Sequence, residues 1–508
     1  MVRRRVRGIL VAATVMPMLS KSSYLRYLQC PRYMWLWEHR RQEVATPLDL
    51  ASEWRIEEGQ RVEELARSLF PNGRRIRSFH ERGAERTKRF MEKREPCLFQ
   101  ATAIADGLLA MADVLQFNPA LDAWDIFEIK GSTSVKGAHL DDVTFQVLAF
   151  ERAGYKIGST SVIHINNSYV RRGPIDVAGF LTVTDVSGQS VALRDEVATR
   201  IEKAKAVLGL PDAPSIADFP CTCSPKDCEC ACLCFPDLPP QSIFVLQRMT
   251  TKKARLYYEQ GIRTLRDVPD DLELSVAQNN QVRAANDGAP IIDRAGIKRT
   301  LDALPYPLYF LDYETFAASI PPFDDFKPCQ VMPFQYSVHV METPTAEPVH
   351  VDYLAPEFGN TIPDLCRSLR GHIGRSGTVV VWNKRFEKTR NEEMGKLSPD
   401  DEPFLTSLNE RMFDLMDIFA DQLYVDARFD GSCSIKNILP VLVPTLSYKH
   451  LPIREGMGAS ISWYRACEPG ATEEERTQTR QNLRAYCKLD TLAMVELLRC
   501  LHEIAQTI

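Results

Sequence analysis

Half of the fourteen cysteines in this chain fall in one short segment or at one isolated position: Cys221, Cys223, Cys228, Cys230, Cys232 and Cys234, with a lone Cys30 far upstream. In a short secreted chain such a count would read as a disulfide framework. In a chain of 508 residues, close spacing points instead to thiolates gathered around metal, which places the protein in a reducing compartment, the cytoplasm. A metal held by both the early and the late cysteines would tie the two ends of one folding unit together. The length exceeds what one hydrophobic core serves, so two or three domains are expected.

A net charge of -5 excludes a uniformly basic coat, so contact with nucleic acid must come from local patches such as Arg67 to Arg94. Residues 1–18 join basic residues to a short apolar run that is too short to span a membrane. The reading adopted is a start at Met16 or Met18 and no membrane association.

Apolar spacing of three and four residues predicts a helix over Ser20 to Arg41, interrupted at Cys30-Pro31, and a second over Glu53 to Leu69. Two strands, LLAMADVLQF and AWDIFEIK, flank a turn at Asn118-Pro119; a helix from Leu140 to Ala153, a strand from Thr160 to Ile165 and a helix from Arg194 to Leu208 follow. Phe235 to Pro240 is a stiff connector, and the polar stretch Gln278 to Asp287 is expected to be exposed. From Leu308 onward, strands at LYFLDYE, QYSVHV and TVVVW alternate with helices.

Two groups of acids stand in this frame. Asp113 lies in an apolar strand, and Glu128 and Lys130 share a face of the next one because side chains alternate with period two. Two inward carboxylates with the Ile129 carbonyl would hold Mg²⁺, and Lys130 would orient or deprotonate a water. An ion pair on an exposed strand is the bland alternative. In the C-terminal part, Asp312 and Glu314 alternate on a strand, and Glu387 follows Asn383 at a helix start. Tyr486 and Asp490 lie four apart on one helix face. The alternative for that helix is a packed ring beside an exposed acid.

The order of Asp113, Glu128-Ile129-Lys130 and Gln146 resembles the PD-(D/E)XK nucleases, with Phe150 in place of the usual tyrosine. With CPRYMW around Cys30 and the spacing of Cys223, Cys228 and Cys234, the stretch from Leu19 to Phe235 is similar to RecB-family nucleases that carry a 4Fe-4S cluster, including the iron-sulfur exonucleases associated with CRISPR systems. That resemblance implies a restriction-endonuclease-like fold, catalytic Asp113, Glu128, Lys130 and Gln146, and cluster ligands Cys30, Cys223, Cys228 and Cys234. A zinc site of four cysteines is the alternative. Many relatives carry a histidine on the early helix where this chain offers only Gln60 or Glu63.

The set Asp312, Glu314, Glu387, Tyr486 and Asp490 resembles the DnaQ-like, ribonuclease-H-like DEDD exonucleases, Glu387 standing where an aspartate is usual. The segments Asp414 to Asp417 and Gly431 to Lys436 are similar to loops of a bacterial branch that couples the two domain types, with Asp417 either an auxiliary site residue or an acid that stabilises a helix start. The resemblance implies Mg²⁺ or Mn²⁺ held by the four acids, Tyr486 positioning water, and removal of nucleotides from a 3' end.

The expected organisation is α/β throughout: 19–235 a PD-(D/E)XK domain with the cluster, 236–303 a helical linker, and 304–508 a DnaQ-like domain. LYYEQGIRTLRDVPDD in the linker reads as a helix-hairpin-helix-like element or as a spacer. The expected substrate is single-stranded or end-exposed DNA, in repair or defence, with RNA and a helicase partner left open. Activity at one centre only, or a non-catalytic nucleic-acid-binding scaffold, is the competing reading.

Overall fold

The computed structural model describes residues 18–78, 80–216, 224–225 and 228–507. Cys221 and Cys223, and the expected start at Met16, lie outside the described residues.

The N-terminal sheet has seven strands: β1 (Leu19–Ser20), β2 (Arg74–Arg75), β3 (Cys97–Ala105), β4 (Leu108–Asn118), β5 (Ala123–Lys130), β6 (Ile157–Ile165) and β7 (Leu181–Asp185). They run in the order β2-β3-β4-β5-β6-β7, with β1 beside the start of β4. Strands β3, β4 and β5 form an antiparallel meander, whereas β5 and β6 are parallel and need a crossover, supplied by the helix Gly137–Arg152. That helix buries Phe145, Leu148, Ala149 and Phe150 against the sheet, so Phe150 is a core residue.

Most of the expected elements are present with shifted ends. The early helix is two, Lys21–Gln29 and Pro31–His39, broken at Cys30, because proline at the first turn starts a new helix rather than continuing one. The second helix is Leu50–Arg67 and the late one Ser187–Leu208. Strand β3 was not anticipated. Of the early aromatic residues, Tyr24, Tyr33 and Trp35 are buried, while Arg26 and Arg41 lie over the Trp37 ring at 4.0 and 4.7 Å.

Between the halves, Gln278 to Asp287 corrects the expectation of an exposed polar stretch. It belongs to the helix Val276–Asp287, started by a capping box of Ser275 and Gln278, and it buries Gln281, Val282, Ala284 and Ala285. The buried Gln281 amide accepts from Gln247 N (2.8 Å) and donates to Val245 O (3.0 Å). In the suspected hairpin element, the helix Thr251–Glu259 is followed after Gly261 by one 3-10 turn, Leu265–Asp267. Ile243, Leu246, Leu265 and Val282 form a small core of their own, joined by Val425 and Ala427 from the C-terminal half. Strands β8 (Ile291–Ile292) and β14 (Tyr424–Val425) pair at that junction.

The C-terminal sheet contains β9 (Leu308–Phe316), β10 (Met332–Met341), β11 (Val349–Leu354), β12 (Thr378–Val381) and β13 (Met412–Asp414), in the order β11-β10-β9-β12-β13. Strand β10 is antiparallel to both neighbours, and β12 and β13 run parallel to β9. The 34-residue helix Glu473–Gln506 packs across β9, β10 and β11.

The helix Leu50–Arg67 serves both halves. Val62 and Ala66 pack under the N-terminal sheet, whereas Trp54 sits in the C-terminal core against Phe316 and Tyr464. Glu58 accepts from Ser319 N (2.5 Å), and Arg465 pairs with Glu57 (2.9 Å). Among the described residues no helix is long and apolar enough to cross a membrane.

Candidate functional sites

At the first centre, β4 places Asp113 beside the end of β5, and alternation along β5 puts Glu128 and Lys130 on one side. Lys130 Nζ donates to Glu128 Oε1 (2.7 Å) and to Asp142 Oδ2 (2.6 Å). Lys21, the first residue of its helix, reaches the same two acids at 2.8 and 3.3 Å. Gln146 donates to Glu128 Oε2 (2.8 Å) and to Asp142 Oδ1 (2.9 Å).

Asp113 accepts from Ile129 N (2.9 Å) and from Gln100 (3.2 Å), so Ile129 contributes its amide here. The Gln100 amide also donates to Glu63 (2.6 Å), and Arg67 pairs with Glu63. Thus Glu63, rather than Gln60, joins the cluster.

Charge within this centre is largely balanced by the chain itself. Burial, then the neighbouring Glu128, push the Asp113 carboxyl up to about 7. Burial also works against charge on Glu128, yet Lys21 and Lys130 hold it below the usual carboxylate range. Asp142 is raised by burial and by Glu128. Lys21 and Lys130 are raised by these acids although burial opposes their charge.

Three of the four expected cluster cysteines, Cys30, Cys228 and Cys234, fall within the described residues. Cys30 ends the first helix, and Cys30, Cys230 and Cys234 belong to one buried cluster with Cys228 packed against it. Tyr33 Oη donates to Glu229 Oε2 (2.5 Å), Arg32 to Pro214 O (2.8 Å) and Trp35 to Leu210 O (2.9 Å), so the early helix lies against the late segment. Thiols gathered in this way are a donor set suited to a soft-metal centre, and the fourth expected ligand, Cys223, lies outside the described residues.

The second centre is a cleft of about 460 Å³ at the end of β9, lined by Asp312, Glu314, Tyr486 and Asp490, with Trp54 and Trp382 on its apolar side. Asp312 and Glu314 share a face of β9, while Tyr313 points the other way and donates to Asn391 (3.0 Å).

Glu387 comes from the first turn of the helix Lys384–Leu397. That helix starts at Asn383, whose φ of 76° is left-handed, a conformation asparagine tolerates better than most residues. Asp414, ending β13, accepts from Asn383 N (3.1 Å) and Lys384 N (2.7 Å) and fixes the turn. Asp490 lies midway along the long helix and accepts from Tyr448 Oη (2.6 Å). Lys436 Nζ is 5.7 Å from the ring centres of both Tyr448 and Tyr486.

Here the acids burden one another. Burial, then Asp490, hold Asp312 well above the usual carboxylate range; burial, then Asp312, Asp490 and Glu387, do the same to Glu314. Glu387 is raised by burial and by Asp312, and burial lifts Asp490 to about 6. Lys436 is the one cation lining the cleft among the described residues. Glu387 Oε2 is buried with no hydrogen-bond partner. Oxygen donors from Asp312 and Glu314 lie within 4.8 Å of each other and of Cys487 Sγ. Several convergent carboxylates, one with an unpartnered buried oxygen, fit a hard divalent cation.

Every expected acid of both centres is therefore brought to one of two clusters. Neither Asp417 nor Glu387 is in the cleft lining, but Glu387 lies close enough beside it to raise Glu314 and to be raised by Asp312. Lys21, Asp142, Lys436, Tyr448 and the capping role of Asp414 were not anticipated. Asp142 carried a signal, standing one helical turn before Gln146 on the same face. Lys21 and Tyr448 arrive by tertiary packing and carried none.

Residues 309–434 match the family described as "Domain of unknown function (DUF2779)", a span that holds β9 to β13 with Asp312, Glu314, Glu387 and Asp414. The chain is 29% identical over 140 residues to "Uncharacterized protein UU173" of Ureaplasma parvum, covering 24% of this chain and 20% of that protein. It is 31% identical over 133 residues to "Uncharacterized protein MG366 homolog" of Mycoplasma pneumoniae, covering 23% of this chain and 19% of that protein. The chain thus spans about a fifth of the length of these curated relatives.

Proposed function

We propose that this protein is a metal-dependent nuclease whose principal centre is the C-terminal cleft, a DnaQ-like exonuclease site on a ribonuclease-H-like sheet. The observation that carries the reading is the convergence of Asp312, Glu314 and Asp490 on one cleft, where Lys436 is the one lining cation among the described residues, with buried Glu387 close enough to raise Glu314. The strand order, with the second strand antiparallel and the first acids on the central strand, supports the fold assignment.

The four acids would hold Mg²⁺ or Mn²⁺. A bound ion of this kind lowers the pKa of its water and offsets charge on a phosphodiester. Tyr448 fixes Asp490 in one orientation, and Tyr486 lines the cleft where a water or the terminal nucleotide would stand. Lys436, whose Nζ donates to Arg454 O (2.7 Å), lies near enough to the acids to favour their charged forms and would also meet a phosphate oxygen.

The first centre contains the Asp113, Glu128, Lys130 and Gln146 set of a PD-(D/E)XK nuclease. There Asp113 and Glu128 would hold the cation in competition with Lys21 for Glu128. That closed network also favours a second reading, in which the N-terminal half grips substrate and only the C-terminal cleft cuts. Membership of Cys30, Cys230 and Cys234 in one hydrophobic core, with Cys228 packed against it, supports an iron-sulfur staple, with Cys30, Cys223, Cys228 and Cys234 as its expected ligands.

The test follows 5'- and 3'-labelled single-stranded DNA and RNA with anaerobically purified protein in Mg²⁺ or Mn²⁺. Asp312→Ala is expected to remove 3'-end products with a fall of about 10²-fold or more. Lys130→Ala removes a separate pattern if both centres cut. Wild-type protein that leaves every substrate intact in both metals ends the nuclease reading.

A further inference from the structure

The helix His80–Glu92 has two unlike faces. Gly83, Thr87 and Met91, four residues apart, are buried, and Thr87 Oγ1 accepts from Thr102 N of β3 (2.9 Å). Arg82, Arg86 and Arg89 project from the other side, exposed, at the i, i+4, i+7 spacing of one stripe. With Arg77 and Ser78 from the preceding turn they line a groove of about 750 Å³ whose one acid among the described residues is Glu85.

Arg67, Arg74 and Arg94 each meet a carboxylate nearby, whereas among the described residues Arg77, Arg82, Arg86 and Arg89 form no ion pair. Like charges one turn apart destabilise a helix, so this stripe opposes the stability of the element that carries it. In a chain of net charge -5 it is also a local exception to the general balance.

Its position gives the stripe a direction. Thr102, under the helix, is two residues along β3 from Gln100, whose amide holds Glu63 and Asp113 of the first centre. Strand β2, with exposed Arg74 and Arg75, pairs with β3 on the same edge of the sheet. Guanidinium groups match phosphate oxygens bidentately. The helix has no apolar face left for a bilayer, because that face is spent on β3.

We infer that the groove of Arg77, Arg82, Arg86 and Arg89 binds the phosphodiester backbone of single-stranded nucleic acid and leads it to the first centre. The choice of nucleic acid over other polyanions rests on the nuclease reading; the surface itself rests on the geometry above.

The experiment measures binding of a fluorescein-labelled single-stranded oligonucleotide to the full chain without divalent metal, at KCl between about 50 and 200 mM. The wild type is compared with Arg82→Gln/Arg86→Gln/Arg89→Gln and with the corresponding triple lysine variant. Each phosphate that a protein neutralises on a single strand steepens the fall of log K with log salt by about 0.7. Removing three guanidinium groups should therefore flatten that slope by about 2 and weaken binding at least about tenfold at the lower salt. The lysine variant should keep the wild-type slope.

An unchanged slope in the glutamine variant, or a wild type that binds no oligonucleotide, overturns the inference. So does a glutamine variant that binds the oligonucleotide normally but has lost binding to phosphatidylserine vesicles. Because no cutting is required, a wild type that binds through this groove and never cleaves ends the nuclease reading and leaves the surface standing.

Discussion

The two acid clusters bury similar carboxylates and balance them differently. At the first centre, Lys21 and Lys130 bracket Glu128 and Asp142, and Gln146 takes the remaining oxygen of Glu128. At the second, Asp312, Glu314 and Asp490 face one lysine among the described residues, Glu387 is only partly offset by Arg390, and Glu387 Oε2 has no hydrogen-bond partner. Uncompensated buried charge is costly, so the second cluster must take up protons or a cation from solution, whereas the first is already neutralised from within. This difference ranks the C-terminal cleft first as a metal site.

The comparison breaks most visibly on removal of the internal cations. Lys130→Met leaves Glu128 and Asp142 with Lys21 alone, and the side chain is only 23% exposed, so a loss of about 3 kcal/mol is expected in urea unfolding. A loss under about 0.5 kcal/mol would place this pair with ordinary surface ion pairs. At the second centre the sign reverses: Glu387→Gln removes a buried carboxyl that Asp312 disfavours and Arg390 only partly offsets, and it should raise the metal-free midpoint.

A slightly smaller effect comes from metal and pH together. Asp113 is raised to about 7 and Asp490 to about 6, both above the unfolded value of about 3.9. Between about pH 4 and 7 the folded chain therefore binds more protons than the unfolded one at these groups, and their contribution to metal-free stability falls as pH rises. Glu128 acts oppositely: its carboxyl is held low, so its contribution is present above about pH 4.3 and is lost on acidification below that.

Mn²⁺ binds the deprotonated acids, so at pH 8 it should stabilise by about 2.7 kcal/mol at a hundredfold excess over its dissociation constant, and by less at pH 5.5. Thermal melts across pH with and without Mn²⁺ read both effects. If the Mn²⁺ gain survives in Asp312→Ala and disappears in Asp113→Asn, the ranking of the two centres is wrong.

Much of both centres was legible because the chemistry follows short periods. Period two put Glu128 with Lys130 and Asp312 with Glu314; a helical turn put Tyr486 with Asp490. What escaped depended on partners distant in sequence. Strand β3 is alanine-rich at Ala101, Ala103 and Ala105 and passes through Gln100 at a positive φ of 57°, so neither propensity nor alternation marks it.

The helix Val276–Asp287 buries small residues and a glutamine, which hydropathy reads as surface. The pattern of Leu50–Arg67 shows an amphipathic helix but not that Trp54 and Val62 enter different cores. Tyr448 reaches Asp490 from a 3-10 turn 42 residues away, a contact no local pattern encodes.

The smallest effect separates two aspartates three residues apart. Asp414 is 6% exposed and accepts from Asn383 N, Lys384 N and Met416 N, which holds the left-handed turn that aims Glu387 into the cluster. Asp417 opens the short helix Asp417–Ala420 and lies outside the cleft lining. Asp414→Ala should cost about 1 kcal/mol, the scale of a lost helix cap, and should weaken the Mn²⁺-dependent rise in the melting midpoint because Glu387 loses its fixed approach. Asp417→Asn should stay within about 0.5 kcal/mol and keep that rise. Equal losses of Mn²⁺ response in the two variants would mean that Asp417 works at the second centre after all, and that the cluster extends beyond the four acids toward the end of β13.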